Sequence, residues 1–206
     1  MKVLLINPPR ENELAGNNPA LIDEARGYNP PLGLLYLGAY LKKFSDHEVE
    51  VIDAQAEELS YPRLKERVAS ARPDAVGLGA MTFTLLDVLT TGRLVRDISN
   101  EIPIIIGGCH AFLYPEETAR LPEFDFVLSG EGEVILKKLL DELEGKRRFE
   151  RVAGLTYSAN GQVKRTPPPP LIEDLDALPF PDRTLTPREK YSSVMAKRNP
   201  ITTMFT

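Results

Sequence analysis

Ile102-Pro103-Ile104-Ile105-Ile106-Gly107-Gly108-Cys109-His110 is the stretch that decides the fold. An apolar run that stops on two glycines reads as a strand buried on both faces and closed by a tight turn. Such a strand belongs in the middle of a parallel sheet covered by helices on both sides. Four more runs have the same character. Val3-Leu4-Leu5-Ile6 stops at Asn7-Pro8-Pro9, and Val49-Glu50-Val51-Ile52 alternates, as a strand nearer an edge does. Ala75-Val76-Gly77-Leu78-Gly79 and Phe124 to Leu128 complete the set.

Helical patterns fill the gaps. Pro31 stands where a first helical residue should, followed by a stripe of Leu34, Leu37 and Leu41. Tyr61 to Ala71 carries Leu64 and Val68, and Leu85 to Ile98 carries Val88, Leu89 and Val95. Pro115-Glu116-Glu117 opens a short helix with carboxylates at its positive end, and Glu131 to Leu143 turns Ile135, Leu139 and Leu143 inward. Alternating strands and helices predict an α/β, Rossmann-like, doubly wound parallel sheet. Right-handed crossovers favour the flavodoxin-like order 2-1-3-4-5.

The pattern changes after Gly145. Of 18 prolines, eight lie beyond residue 160. Residues 1–145 are therefore expected to form the Rossmann-like domain, 146–166 a β-hairpin around Asn160-Gly161, and 167–206 a Pro-rich linker. Leu171, Leu175, Leu178 and Phe180 would be the linker's apolar anchors. Ile201 to Thr206 is β-prone and reads as a strand leading into a further domain.

Composition narrows the function. With 25 basic and 30 acidic residues, the net charge of −5 argues against a nucleic-acid binder, which needs a basic face. No apolar run is long enough to span a bilayer and no signal peptide is visible, so a cytoplasmic location without membrane contact is expected. The single cysteine, Cys109, supports neither a disulfide framework nor an iron–sulfur cluster made by this chain alone.

In an open parallel sheet, ligands bind beyond the carboxyl ends of the strands. Four loops lie there: Asn7 to Asn29, which includes Gly16-Asn17-Asn18-Pro19; Ala80 to Thr84; Gly107 to His110; and Ser129 to Glu133. Gly107-Gly108 is either a tight turn or a place where a bulky group meets bare backbone. Thr82 and Thr84 offer hydroxyls to a ligand or cap a helix. Ser129-Gly130-Glu131-Gly132-Glu133 is no phosphate loop, because its carboxylates repel phosphate and no lysine follows. His110 is expected at the ligand rim as a hydrogen-bonding partner, His47 at the surface, and Cys109 as a small buried residue. Asp53 would suit a ribose, but the glycine fingerprint after the first strand is missing. No set of residues suited to catalysis emerges.

Taken together, these loops resemble the cobalamin-binding radical SAM proteins. Asn7-Pro8-Pro9 followed by Pro30-Pro31-Leu32-Gly33-Leu34-Leu35-Tyr36-Leu37-Gly38-Ala39-Tyr40-Leu41 looks like their opening. Gly107-Gly108-Cys109-His110 running to Pro115-Glu116-Glu117 resembles their Gly-Gly-x-His…Pro-Glu-Glu signature, and Phe124 to Glu133 their next block. Val152 to Tyr157 with Asn160-Gly161, then Asp174 to Pro181, resembles the family's linker. Within that family the chain looks similar to the anaerobic magnesium-protoporphyrin monomethyl ester cyclases.

The resemblance implies a cobalamin-binding module of a radical SAM enzyme, one that transfers a methyl group or closes a ring. The 4Fe-4S cluster and S-adenosylmethionine would belong to a radical SAM barrel of the same polypeptide, its partner, beyond Thr206. It implies a cofactor surface of Asn7, Pro8, Pro9, Thr82, Phe83, Thr84, Gly107, Gly108, His110, Gly130, Glu131 and Gly132, with no catalytic residue or metal ligand in this chain. Wider relatives carry Asp-x-His-x-x-Gly after the first strand, its histidine below cobalt. Here Asn7-Pro8-Pro9-Arg10-Glu11-Asn12 stands there, and no histidine can ligate. The alternative is a docking domain of the same architecture that binds substrate or partner but no cofactor.

Overall fold

A computed structural model describes residues 1–12 and 27–204. Its strands are β1 (Lys2–Asn7), β2 (Glu48–Asp53), β3 (Ala75–Gly79), β4 (Ile104–Gly107), β5 (Phe126–Leu128), β6 (Leu155–Ala159) and β7 (Gln162–Arg165). They form one seven-stranded sheet of order β2-β1-β3-β4-β5-β6-β7. The first five are parallel in the expected 2-1-3-4-5 order, with β2 at the edge. The hairpin then extends the sheet, β6 antiparallel to β5 and β7 to β6. Asn160 and Gly161 both take positive φ, 53° and 74°, as the tight hairpin turn requires.

The longer helices are α1 (Leu32–Phe44), α2 (Tyr61–Ala71), α3 (Leu85–Ile98) and α6 (Gly132–Glu144), with two short ones, α4 (Cys109–Leu113) and α5 (Pro115–Ala119). Alternate strand residues feed two cores. Leu4, Ile6, Ile52, Val76, Leu78, Ile104 and Ile106 pack with Leu64 and Val68 of α2 and Val88 and Val95 of α3. Val3, Leu5, Val51, Ala75, Ile105, Phe126 and Leu128 pack with Leu34 and Leu41 of α1 and Ile135, Leu136, Leu139 and Leu140 of α6. This two-sided cover is why the strands read as continuous apolar runs.

β4 and β5 each begin two residues later than the sequence suggests. Pro103 has no N–H for a ladder. The Asp125 carboxylate takes the Ile104 amide at 2.7 Å and the Arg96 guanidinium at 2.6 Å, so a side chain and not a backbone carbonyl accepts from the first amide of β4. His47 is buried rather than on the surface, its Nδ1 3.3 Å from the Met1 ammonium. Burial and that ammonium hold its pKa below the ordinary histidine value, although Glu144 and Asp141 oppose them.

The division expected after Gly145 falls within this continuous sheet: Val152 and Leu155 are buried in the α1–α6 core. The chain beyond the prolines also packs back, and of the four expected anchors Leu178 alone is partly covered. Leu171, Leu175 and Phe180 are largely exposed, at 87%, 70% and 87%. Leu185 lies against Gly38 of α1, and Tyr191 is almost wholly enclosed. Backbone bonds from Asp182 to Leu35 (3.2 Å) and from Ser192 to Tyr28 (3.1 Å) fix the segment. Among the described residues no helix is long and apolar enough to cross a membrane.

Candidate functional site

β3 and β4 end on Gly79 and Gly107, which are register partners. Together they leave a floor without side chains at the carboxyl edge, on the face covered by α1 and α6. Among the described residues, a Cβ built on Gly107 would meet Leu128 Cβ at 3.9 Å, and one on Gly79 would meet Leu34 Cδ2 at 3.8 Å. Both are ordinary van der Waals contacts, so each position would accept a Cβ without displacing a described neighbour.

Gly108 has a different task. Its φ is +99°, and a Cβ there would lie 2.7 Å from the Ala80 carbonyl oxygen. The space is taken by backbone: the Ala80 amide donates to the Gly107 carbonyl (2.8 Å), and the His110 amide to the Ala80 carbonyl (3.1 Å). Gly108 therefore joins the β3 and β4 loops. The same junction holds His110, which is buried with Nδ1 3.2 Å from Thr82 Oγ1 and its ring 5.3 Å from that of Tyr114. Burial lowers its pKa, only partly offset by Glu117, so the ring is neutral near pH 7. Cys109 is exposed, not buried, because it opens α4 on the solvent side.

Thr82 thus meets His110, whereas Thr84 caps its own turn: its hydroxyl accepts from the Met81 amide and donates to the Met81 carbonyl, both at 3.1 Å. Phe83 is exposed beside Met81, and Phe112, Leu113 and Tyr114 are exposed on α4 and just after it. These side chains line the carboxyl edge with apolar surface.

Two buried carboxylates hold the loop after β1. Asn7 Nδ2 donates to Asp53 Oδ1 at 2.7 Å, at the paired ends of β1 and β2. Five residues on, the Asn12 amide and its Nδ2 both donate to Asp87 Oδ1 at 2.9 Å, and the Tyr61 hydroxyl donates to the same oxygen. Pro8 and Pro9, between these clamps, are buried. Asn7 is thereby engaged by protein. Gly16-Asn17-Asn18-Pro19 lies outside the described residues.

The fourth loop is a packed corner. A Cβ on Gly130 (φ +127°) would fall 2.7 Å from Pro169 of the proline run, and one on Gly132 3.0 Å from Leu37 of α1. Glu131 is exposed before α6. Burial, and to a lesser extent Glu131, raises the Glu133 pKa. Of the expected surface, the structure joins Thr82, Gly107, Gly108 and His110 at one junction, and gives Asn7, Thr84, Gly130 and Gly132 protein partners.

Sequence reasoning missed Gly79, Asp87 and Tyr61. Gly79 was legible as the last residue of a strand ending at the same edge as Gly107. Nothing local marks Asp87, an ordinary first-turn acid until the fold brings Asn12 and Tyr61 to it.

Comparison with known proteins agrees with this architecture. A protein of Pyrococcus horikoshii described as an uncharacterized methyltransferase is 35% identical over 194 residues, covering 94% of this chain and 40% of that protein. The anaerobic magnesium-protoporphyrin IX monomethyl ester cyclase of Rubrivivax gelatinosus is 32% identical over 199 residues, covering 93% of this chain and 34% of the cyclase. The chain therefore spans well under half the length of these curated relatives. The cobalamin-dependent S-adenosylmethionine radical enzyme OxsB, solved with aqua-cobalamin and S-adenosylmethionine, shares the fold: TM-score 0.65 and 22% identity over 82% of this chain and 22% of OxsB. The family model described as B12 binding domain matches residues 19–140, more than half of the chain. With strand order, glycine floor and family model in agreement, the chain belongs to the B12-binding domain family.

Proposed function

We propose that the chain holds cobalamin across the carboxyl edge of its sheet, with the nucleotide tail running over the Gly79–Gly107 floor between α1 and α6. The observation that carries this is the pair of register-matched glycines, at each of which a Cβ would come no nearer than 3.8 Å to a described neighbour. A flat, wide group with a long tail needs bare backbone to enter a sheet edge, and close packing denies it that space wherever a side chain stands. Thr82 and His110 sit at the head of this floor, where hydroxyl and imidazole are placed to hydrogen-bond corrin amides or tail. Phe83 and its apolar neighbours would shield one face of the ring from water. Pro8 and Pro9 would underlie it without offering a ligand, leaving cobalt without a protein donor below. Glu131, Gly130 and Gly132 border the site, and Gly108 keeps its loops in register.

When bound, cobalamin supplies a methyl group for transfer or one-electron chemistry for ring closure. This chain's residues bind, orient and exclude water. The cluster and S-adenosylmethionine would be held by a radical SAM barrel of the same polypeptide, in keeping with the longer relatives. The substrate would be a small molecule.

Titration of the purified chain with aquacobalamin, followed by its visible spectrum and by retention through gel filtration, tests this reading. A saturable spectral change with retained colour is expected. Free passage of cobalamin would overturn it in favour of a cofactor-free docking domain.

A further inference from the structure

Asp53 is a wholly buried carboxylate with no cation among its hydrogen-bond partners in the described residues. Its two oxygens face different parts of the molecule. Oδ1 accepts from Asn7 Nδ2 at 2.7 Å and, less closely, from the Ala56 amide at 3.3 Å. Oδ2 accepts from the Tyr191 hydroxyl at 2.9 Å, across 138 residues of sequence. Asn7 begins the loop proposed to underlie the cofactor. Tyr191 is the buried anchor of the C-terminal segment, 2% exposed. Around it the Ser192 amide bonds Tyr28 and the Ile201 amide bonds the Tyr191 carbonyl, so the hydroxyl stands at the centre of the docked segment.

We propose that Asp53 is a positioning residue that couples docking of the C-terminal segment to the order of residues 7–12 at the end of β1, through the relay Tyr191–Asp53–Asn7. In a buried site a carboxylate that loses one donor must recover hydrogen bonding elsewhere or shift, because an unsatisfied buried acceptor is costly. Its remaining strong side-chain donor is Asn7, so release of Tyr191 changes the bond that fixes the loop's first residue. The segment that leads toward Thr206 would thereby sense, and be sensed by, the cofactor edge. Reciprocity follows from linkage: the factor by which docking of Tyr191 steadies Asn7 is the factor by which order at Asn7 steadies the docked segment. The last step rests on the cobalamin reading above; the relay itself does not.

The test is amide hydrogen exchange on the whole chain, read at Ser192 and Ile201 for the segment and at Ala54 and Asn12 for the loop. The Ala54 amide bonds the Asn7 carbonyl, and the Asn12 amide bonds Asp87. Tyr191→Phe keeps the buried ring and removes only the hydroxyl. It is expected to speed exchange at Ser192 and Ile201 about tenfold, the equivalent of one lost buried hydrogen bond, and to speed Ala54 and Asn12 by about threefold. Asn7→Ala, which removes a side chain hydrogen-bonded to Asp53 and Gln55 and not to the described segment, should speed Ser192 and Ile201 in turn. If each variant loosens only its own end, the relay is refuted. In a third arm, aquacobalamin should slow exchange at Ser192 and Ile201 in the parent chain and fail to do so in Tyr191→Phe. Binding with no such protection refutes the coupling to the cofactor. Absence of binding refutes the cobalamin reading alone, and the first two arms still decide the relay.

Discussion

Gly107→Val is the substitution that most directly tests where the tail lies. At Gly107 the backbone is ordinary strand, and the first added atom meets a single neighbour at 3.9 Å. The β-branched side chain suits a strand and has room in the free protein. Thermal stability should therefore change by less than about 1 kcal/mol. In the complex the same methyls occupy the tail's path. Overpacking of a close-packed site costs about 1–3 kcal/mol, which is roughly a 5- to 150-fold rise in Kd for aquacobalamin. Gly108→Val is the control. There φ is +99° and the new Cβ lands 2.7 Å from a backbone oxygen that has no freedom to retreat. Strain of about 1–3 kcal/mol should lower the melting temperature itself. The assay is a visible-absorption titration beside a thermal melt for each variant. If Gly107→Val melts like the parent and binds aquacobalamin with the parent's Kd, the tail does not cross this floor and the reasoning fails.

Four further outcomes are expected. The electron paramagnetic resonance spectrum of the cob(II)alamin form should show no protein nitrogen coupling, and His110→Ala should weaken retention without altering that spectrum; a coupling lost in the variant would make His110 the axial ligand. The purified chain, reconstituted with iron and sulfide, should not cleave S-adenosylmethionine, since one cysteine cannot supply three cluster thiolates; 5′-deoxyadenosine above a protein-free control would refute this. His47 and His110 both have folded-state pKa values held below 6.5, by burial in each case. The unfolded chain therefore binds the extra protons first, and these groups favour the folded state above pH 6.5 and less so as pH falls through their lowered values. The melting temperature should drop in that window, and should drop less in the His47→Gln, His110→Gln double variant. Truncation after Gly145 should keep the αβ circular dichroism signature but lower the melting temperature, because it uncovers the β5 edge and removes Val152, Leu155 and Tyr157 from the α1–α6 core; loss of the signature would place the hairpin inside the folding unit.

The sequence by itself determined the 2-1-3-4-5 order of the parallel strands, the two-sided core and the loops at whose edge the cofactor is proposed to bind. These follow from local signals: apolar runs such as Ile104 to Ile106, a helix announced by Pro31, a turn announced by Asn160-Gly161, and the fixed hand of parallel crossovers. The loops that hold the glycines were legible for the same reason, since turn residues declare themselves one position at a time. Which glycine does what was not. Gly107 and Gly108 are adjacent, yet a Cβ on one would make an ordinary contact with Leu128 and a Cβ on the other would strike the Ala80 backbone, and only the three-dimensional approach of the β3 loop separates them. Tertiary structure also decided that His47 is buried, that Asp87 pins Asn12, and that Tyr191 reaches Asp53 across 138 residues. A buried hydrogen bond of that span leaves no trace in composition or periodicity. Its energy depends on two distant groups leaving water together, and no local stretch of either partner encodes the other.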